Sequence, residues 1–294
     1  MKVLVADKCG FCPGVRNAIS MAEQVLVEEA DAGPVYCLGP IIHNKEVVER
    51  LSKAGLRTVE AIGEIDAGPA TAKRSEVGTV LIRSHGVAPK ELERLRRKGL
   101  RIVDATCVLV KRVQRLAQQL EAEGYEVVII GEENHPEVQA VVGCVNHVVV
   151  VAGEDDLDRL PQDGKLGIVC QTTQSPEHLG KVLGVIGRGS FKEIKVINTL
   201  CREATKRQES AVELCKRVDI MFVLGGLHSA NTRRLAELCE KHNPQTFHLQ
   251  NWDELDKKVL LGKHIAGVTA GASTPNWIIE EFVERLERFG DGTE

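Results

Sequence analysis

Three cysteines, Cys12, Cys107 and Cys201, stand 95 and 94 residues apart in a chain of 294, and each lies just before a run with helical periodicity. Even spacing of this kind marks an internal repeat. A repeat constrains a fold more than a single motif does, because each third must build the same supersecondary unit. Two further signals keep the register. Downstream of each cysteine a strand-like run ends in glycine, with a polar side chain four residues later: Gly39 and His43 in GPIIHN, Gly131 and His135 in GEENHPE, Gly225 and Ser229 in GGLHSAN. A second strand-like run leads into SHGVAP, QTTQSP and GASTP, where His85, Thr172 and Ser273 precede Pro89, Pro176 and Pro275. Proline is favoured in the first turn of a helix, so these polar groups are expected at helix N-termini.

Short β-branched runs alternate with helix-period segments, the pattern of βαβ units and parallel sheets. Strands are predicted at 3–6, 35–38, 79–82, 127–130, 166–170, 194–197, 220–224 and 264–269. Between them, Val47, Val48, Leu51 and Ala54 share a helical face that stops at Gly55, and Val113, Leu116, Ala117 and Leu120 share another that stops at Gly124. The expected fold is α/β: three small parallel-sheet lobes in a pseudo-threefold arrangement, at 14–106, 107–200 and 201–294, the last completed by residues 1–13. Open parallel sheets place ligands at the carboxyl ends of their strands. Three thiols and six polar loops are therefore expected around one centre.

Composition removes several function classes. A formal net charge of -4 leaves no overall basic footprint for nucleic acid. The longest apolar stretches, such as 141–151, are interrupted by Gly143, Asn146 and His147 and fall short of the roughly 18 residues a membrane span needs. The opening MKVLVADK is too short and soon too polar for a signal peptide, so a cytoplasmic location is expected. In a reducing compartment, nine cysteines point to metal, cluster or catalytic use before disulfides.

Three converging thiolates with no fourth repeat-matched cysteine suit an iron-sulfur cluster with one open iron, and catalytic zinc with three thiolates is the weaker option. His43, His85, His135, Thr172, Ser229, Asn231 and Ser273, at helix N-termini, form a donor-rich set suited to a phosphate or diphosphate. Neither a Walker loop nor a GxGxxG fingerprint is present, which counts against ordinary nucleotide sites. Glu137 is the one carboxylate the repeat places among these donors; its pKa is expected to rise beside a bound anion, fitting it as a general acid. Cys9 has no counterpart in the other two thirds and reads as a bystander to Cys12. Cys37, Cys144, Cys170, Cys215 and Cys239 read as small buried hydrophobes.

GFCPGV, GPIIHN, SHGV, DATC, HPEV, QTT, NTLC, HSANT and GASTP, in that order over nearly the whole chain, resemble the successive motifs of the 4-hydroxy-3-methylbut-2-enyl diphosphate reductase (LytB) family. The resemblance implies a three-lobed α/β fold around a [4Fe-4S] cluster and the last step of the non-mevalonate isoprenoid pathway. In that step two electrons and two protons remove an allylic hydroxyl from the small diphosphate substrate, giving isopentenyl and dimethylallyl diphosphates. It also implies roles by motif: Cys12, Cys107 and Cys201 as cluster ligands, with the open iron binding the substrate hydroxyl, and Glu137 with Thr172 delivering the proton, His135 beside them. His43, Asn44, His85, His135, Thr173, Asn198, Ser229, Asn231 and Ser273 would surround the diphosphate. Electrons would come from an external one-electron donor, a ferredoxin or flavodoxin. The chain departs from the family pattern at Val108, at Ala204 followed by Thr205, and at Ala230. Two other functions compete: a thiol-disulfide oxidoreductase using Cys9 and Cys12, and a non-catalytic protein that binds a cluster or phosphate.

Overall fold

The computed structural model describes residues 1–30, 33–66, 78–161 and 163–290. In chain order β1 (Lys2–Val5) and α1 (Pro13–Glu28) lead into β2 (Val35–Leu38), α2 (Lys45–Lys53), β3 (Leu56–Val59), β4 (Thr79–Ile82), α3 (Pro89–Arg97) and β5 (Arg101–Asp104). The same order recurs as α4 (Val108–Ala122), β6 (Glu126–Ile130), α5 (Pro136–Val142), β7 (Val148–Val151), β8 (Lys165–Cys170), α6 (Pro176–Ile186) and β9 (Glu193–Val196). It recurs again as α7 (Arg202–Cys215), β10 (Ile220–Leu224), α8 (Ala230–His242), β11 (Thr246–Leu249), β12 (Ile265–Ala270) and α9 (Asn276–Gly290).

The strands form three parallel sheets with one topology: β3-β2-β4-β5, β7-β6-β8-β9 and β11-β10-β12-β1, hereafter the first, second and third. In the third, β1 takes the edge place that β5 and β9 hold in the others. The two central strands of each sheet end in register, Leu38 opposite Ile82, Ile130 opposite Cys170 and Leu224 opposite Ala270. The loops that follow them therefore leave each sheet side by side, on either side of the point where the strand order reverses.

Alternation along the central strands fills both sheet faces, as expected when helices cover each side. In the third sheet Ile220, Phe222 and Leu224 pack with Phe282 and Leu286 of α9, while Met221 and Val223 pack with Ala211 and Leu214 of α7 and Leu235 of α8. Burying each large side chain stabilises the fold by roughly 1.5–3 kcal/mol. In the second sheet Val127 and Ile129 meet Val113, Ala117 and Leu120 of α4, and Val128 and Ile130 meet Leu179 and Val182 of α6. The helical faces read from the sequence end before Gly55 and Gly124 as expected, although Ala54 is exposed.

All eight expected strands are present. The four that sequence reading omits, β3, β5, β7 and β11, all lie at sheet edges. By contact the chain divides into a smaller unit, Met1–Val15, Ile42–Val47 and Arg202–Glu294, which holds the third sheet, and a larger one, Arg16–Ile41 and Val48–Cys201, which holds the first two. Within the larger unit Gln114 of α4 joins the sheets, its Nε2 donating to the carbonyls of Val87 at 3.2 Å and Ala140 at 3.3 Å.

Candidate active site

Each repeat cysteine sits where an edge strand has ended and a helix begins: Cys12 before α1, Cys107 before α4 and Cys201 before α7. One backbone contact recurs at all three. The N–H of Cys12 donates to the Ala272 carbonyl at 3.1 Å, that of Cys107 to Ser84 at 2.9 Å and that of Cys201 to Thr172 at 2.8 Å. Each acceptor lies in the loop after the neighbouring central strand. The Val15 N–H also donates to Cys12 Sγ at 3.4 Å. All three thiols are half-buried at helix N-termini.

The first polar loop of each sheet closes the same way. The N–H of Gly39 donates to Val59 at 2.7 Å, that of Gly131 to Val151 at 3.0 Å and that of Gly225 to Leu249 at 2.9 Å. His135 and Ser229 then cap α5 and α8, with side chains accepting from the N–H of Glu137 at 3.1 Å and of Thr232 at 3.4 Å. In the first sheet this loop is one residue longer, so Asn44 caps α2 through the Val47 N–H at 3.1 Å and His43 precedes the cap.

The second polar loops share a turn, in which the N–H of Gly86, Gln174 and Thr274 donates to the carbonyl three residues back, Arg83, Gln171 and Gly271. Ser84, Thr172 and Ala272 thus hold one position, and His85, Thr173 and Ser273 the next. Matching by sequence groups Thr172 with His85 and Ser273. The structure sets it one place earlier, because the proline that anchors such a match follows the turn at a different distance in each loop. Pro89 and Pro176 open their helices, whereas Pro275 stands just outside α9.

Glu137 is the second residue of α5 and is 2% exposed. Thr172 holds it with two donors, its N–H to Oε1 at 2.6 Å and its hydroxyl to Oε2 at 2.8 Å. Burial raises the carboxyl above its ordinary range, and the two Thr172 hydrogen bonds offset part of that rise. Because His135 Nδ1 accepts the Glu137 N–H, the proton of a neutral His135 ring sits on Nε2. The His135 ring meets that of His85 edge to face, centroids 5.4 Å apart. The larger unit thus joins a buried acid to two imidazoles and a hydroxyl.

In the smaller unit the Ser273 hydroxyl donates to the His43 carbonyl at 3.3 Å. Gly226 lies so close to that carbonyl that a Cβ there would stand 2.6 Å from its oxygen. Ser229 and Ser273 are buried, and Asn231 is half-buried on α8 with its Nδ2 lacking a hydrogen-bond partner among the described residues. An orphaned amide donor at a helix N-terminus suits an anion.

Thr173 is half-buried and accepts from Gln171 Nε2 at 3.1 Å. Asn198 is exposed, with its Oδ1 turned back to the Leu200 N–H at 3.0 Å. Sequence reading missed the residues that brace these loops. Gln171 accepts the Glu132 N–H at 2.9 Å, tying the two polar loops of the second sheet together. Arg207, 4% exposed on α7, donates to the carbonyls of Ala270 at 3.0 Å and Lys8 at 3.4 Å, holding the Cys9–Cys12 segment against the end of β12. Gln171 is the first residue of the recognised QTT motif, where the threonines drew the functional reading, but a buried arginine inside a polar helix leaves no sequence signal.

The remaining cysteines behave differently from the repeat three. Cys37, Cys170, Cys215 and Cys239 are buried, and burial pushes the Cys37 thiol up to about 12 and that of Cys170 to about 11. Cys144 is half-buried, its Sγ 3.2 Å from the Ala140 carbonyl. Burial also pushes Cys9 up to about 11, despite nearby Arg207. A thiol so disposed is protonated at neutral pH, which counts against a reactive Cys9–Cys12 pair.

These features define an α/β protein of threefold internal repetition, with thiols and donor-bearing loops at its strand ends. The chain belongs to the LytB protein family, whose model matches residues 3–287. Over 289 residues it is 44% identical to the 4-hydroxy-3-methylbut-2-enyl diphosphate reductase of Geobacter sp. (strain M21), covering 97% of each chain. Among solved structures it is similar to (E)-4-hydroxy-3-methyl-but-2-enyl diphosphate reductase, described as the terminal enzyme of the non-mevalonate pathway, with 41% identity and a TM-score of 0.69 over 98% of this chain and 100% of that one. It is also similar to the E-1-hydroxy-2-methyl-but-2-enyl-4-diphosphate reductase from Plasmodium falciparum, with 28% identity and a TM-score of 0.86 over 97% of this chain and 87% of that one. Among the described residues no helix is long and apolar enough to cross a membrane.

Proposed function

We propose that this chain reduces 4-hydroxy-3-methylbut-2-enyl diphosphate to isopentenyl and dimethylallyl diphosphates, the terminal step of the non-mevalonate pathway. The observation that carries the reading is the buried Glu137 carboxyl gripped by both donors of Thr172, in a chain whose relatives bear this activity's name. The reaction takes up two electrons and two protons and releases the hydroxyl as water.

The donor set fits a [4Fe-4S] cluster: Cys12, Cys107 and Cys201 share one backbone contact and stand at helix N-termini, and three thiolates leave one iron without a protein ligand. When bound, such a cluster supplies electrons singly and a Lewis-acidic iron for the leaving hydroxyl. Glu137 supplies the proton. Its burial keeps the acid form populated toward neutral pH, and Thr172 fixes which carboxyl oxygen faces which donor. His43, His85, His135, Ser229, Asn231 and Ser273, with Asn44, Thr173 and Asn198 beside them, would neutralise the diphosphate through hydrogen bonds from uncharged or cationic groups. The electrons come from outside the chain, from a soluble ferredoxin or flavodoxin, and we place the enzyme with those carriers in the cytoplasm.

The test is an anaerobic preparation assayed for iron, visible absorbance and oxidation of reduced viologen dependent on the hydroxylated diphosphate. An iron-bearing protein whose substrate-dependent oxidation is lost in Glu137→Gln supports the reading. An iron-free protein, or one whose viologen oxidation ignores the diphosphate, overturns it.

A further inference from the structure

A cavity of about 350 Å³ opens in the larger unit between the loops that follow β2 and β4 and the helix α5. None of the residues given a thiol, proton or diphosphate role above lines it. Its size is that of a small-molecule pocket, and its lining is mixed, with Leu38, Val87, Ala88, Ala140 and Val142 supplying the apolar part. The polar side chains on it are Arg83, Glu60, Glu91 and Gln139.

Arg83 is the first residue after β4, and its guanidinium lies against Gly39, where a Cβ would collide with it. The fold therefore leaves room for this side chain. Its Nε is buried and finds no hydrogen-bond partner among the described residues. Burial pulls its pKa below the usual arginine value, by more than Cys37, Glu60 and Glu91 restore through space. Glu91 already caps α3 by accepting the Ala88 N–H at 3.3 Å, and Glu60 is exposed. A buried donor with no partner carries an uncompensated desolvation cost, so the arrangement favours an incoming acceptor.

The geometry points to a second ligand site, for a small monocarboxylate with an apolar body, whose carboxylate pairs with Arg83 and whose hydrocarbon part packs between Val87, Ala88, Ala140 and Val142. The guanidinium fork matches a carboxylate with two parallel hydrogen bonds. One charge is the limit. Glu60 and Glu91 line the same space, so a phosphate dianion or a diphosphate meets repulsion that a singly charged ligand offsets with its one ion pair. The site is thus selective against the diphosphates of the proposed reaction and does not depend on that proposal.

Equilibrium dialysis of labelled benzoate against the anaerobically purified protein tests it, alone and with excess inorganic pyrophosphate. The expected result is one saturable benzoate site per chain that pyrophosphate does not displace and that Arg83→Gln weakens about tenfold or more. Val142→Phe, which keeps Arg83 and fills the cavity, is expected to weaken it similarly, and thermal unfolding verifies that each variant is folded. Absence of saturable uptake by the parent protein, displacement by pyrophosphate, or unchanged affinity in a folded Arg83→Gln or Val142→Phe protein overturns the site.

Discussion

Glu137 on α5 and Asn231 on α8 are the second residues of equivalent helices, each following a glycine whose N–H closes its loop onto the last residue of an edge strand. Their partners differ as their own side chains do. In the second sheet the facing loop offers Thr172, which donates twice to the Glu137 carboxyl. In the third sheet the same position is Ala272, as the shared cysteine contact shows, and the Asn231 amide nitrogen has no partner among the described residues. One frame therefore presents a held acid in one copy and an unspent donor in another. Two side-chain exchanges separate a carboxyl held by two donors from an amide donor with no partner among the described residues.

The largest expected effect tests whether the frames are equivalent at all. Cys12→Ser in the third sheet and Cys201→Ser in the second are expected to lose iron and all substrate-dependent viologen oxidation to the same degree, while Cys9→Ser keeps its iron. Iron content measured per chain decides the matter. Unequal losses would break the equivalence on which the comparison rests. Next in size is Glu137→Gln, which preserves shape and one acceptor but removes the proton. A drop in kcat of about 10²–10⁴, with little change in KM, is expected from removal of a general acid.

The counterpart on the other copy is Asn231→Ala. If its amide serves only to hold the diphosphate, KM rises while kcat stays near that of the parent. Loss of one hydrogen bond to a charged group is worth about 1.5–3 kcal/mol, or roughly 10- to 150-fold. Steady-state kinetics over a range of substrate concentration separate the two parameters. A fall in kcat alone would place Asn231 in the chemistry and erase the contrast with Glu137.

Both members of this contrast were legible in the sequence, Glu137 from HPEV and Asn231 from HSANT, because the glycine and cysteine registers repeat. So were the central strands β2, β4, β6, β8, β10 and β12, whose residues are nearly all buried and read as apolar runs. The edge strands were harder. LRTV of β3 exposes one charged residue, Arg57, RIVD of β5 exposes two, Arg101 and Asp104, and TFHL of β11 is only half-buried throughout. Their strand character comes from pairing with a neighbour rather than from their own pattern. The pairing of Ala272 with Thr172 was hidden for another reason: it depends on a turn whose spacing to the next proline varies, and only backbone hydrogen bonds reveal it.

The contrast also has a pH signature. The Glu137 carboxyl is raised in the folded protein by burial, so between its ordinary value near 4.5 and its raised value the folded state binds more protons than the unfolded chain. Stability from this group is present at low pH and declines as pH rises through that window. Chemical unfolding of the parent and Glu137→Gln, compared at intervals from about pH 4 to 8, is expected to show the variant gaining on the parent as pH rises. Asn231 does not titrate, so Asn231→Ala is expected to run parallel to the parent across the same range. A parallel Glu137→Gln curve would mean that the Thr172 hydrogen bonds hold the ionised carboxylate well enough to cancel burial.

The smallest expected effect comes from making the third sheet more like the second. Ala272→Ser installs a hydroxyl at the position where Thr172 carries one. If side chains as well as backbone are equivalent, the new oxygen accepts from the Asn231 amide in the free protein. That hydrogen bond would compete with the one proposed from the amide to diphosphate, at a net cost of about 0.5–1.5 kcal/mol, so KM is expected to rise roughly 2- to 12-fold at unchanged kcat. In the Asn231→Ala background the added hydroxyl has no amide to satisfy, and the two substitutions together are expected to raise KM no further than Asn231→Ala alone. Additive effects in that double-mutant cycle would mean that Ala272 and Asn231 do not meet as Thr172 and Glu137 do, and that the likeness of the two sheets stops at the backbone.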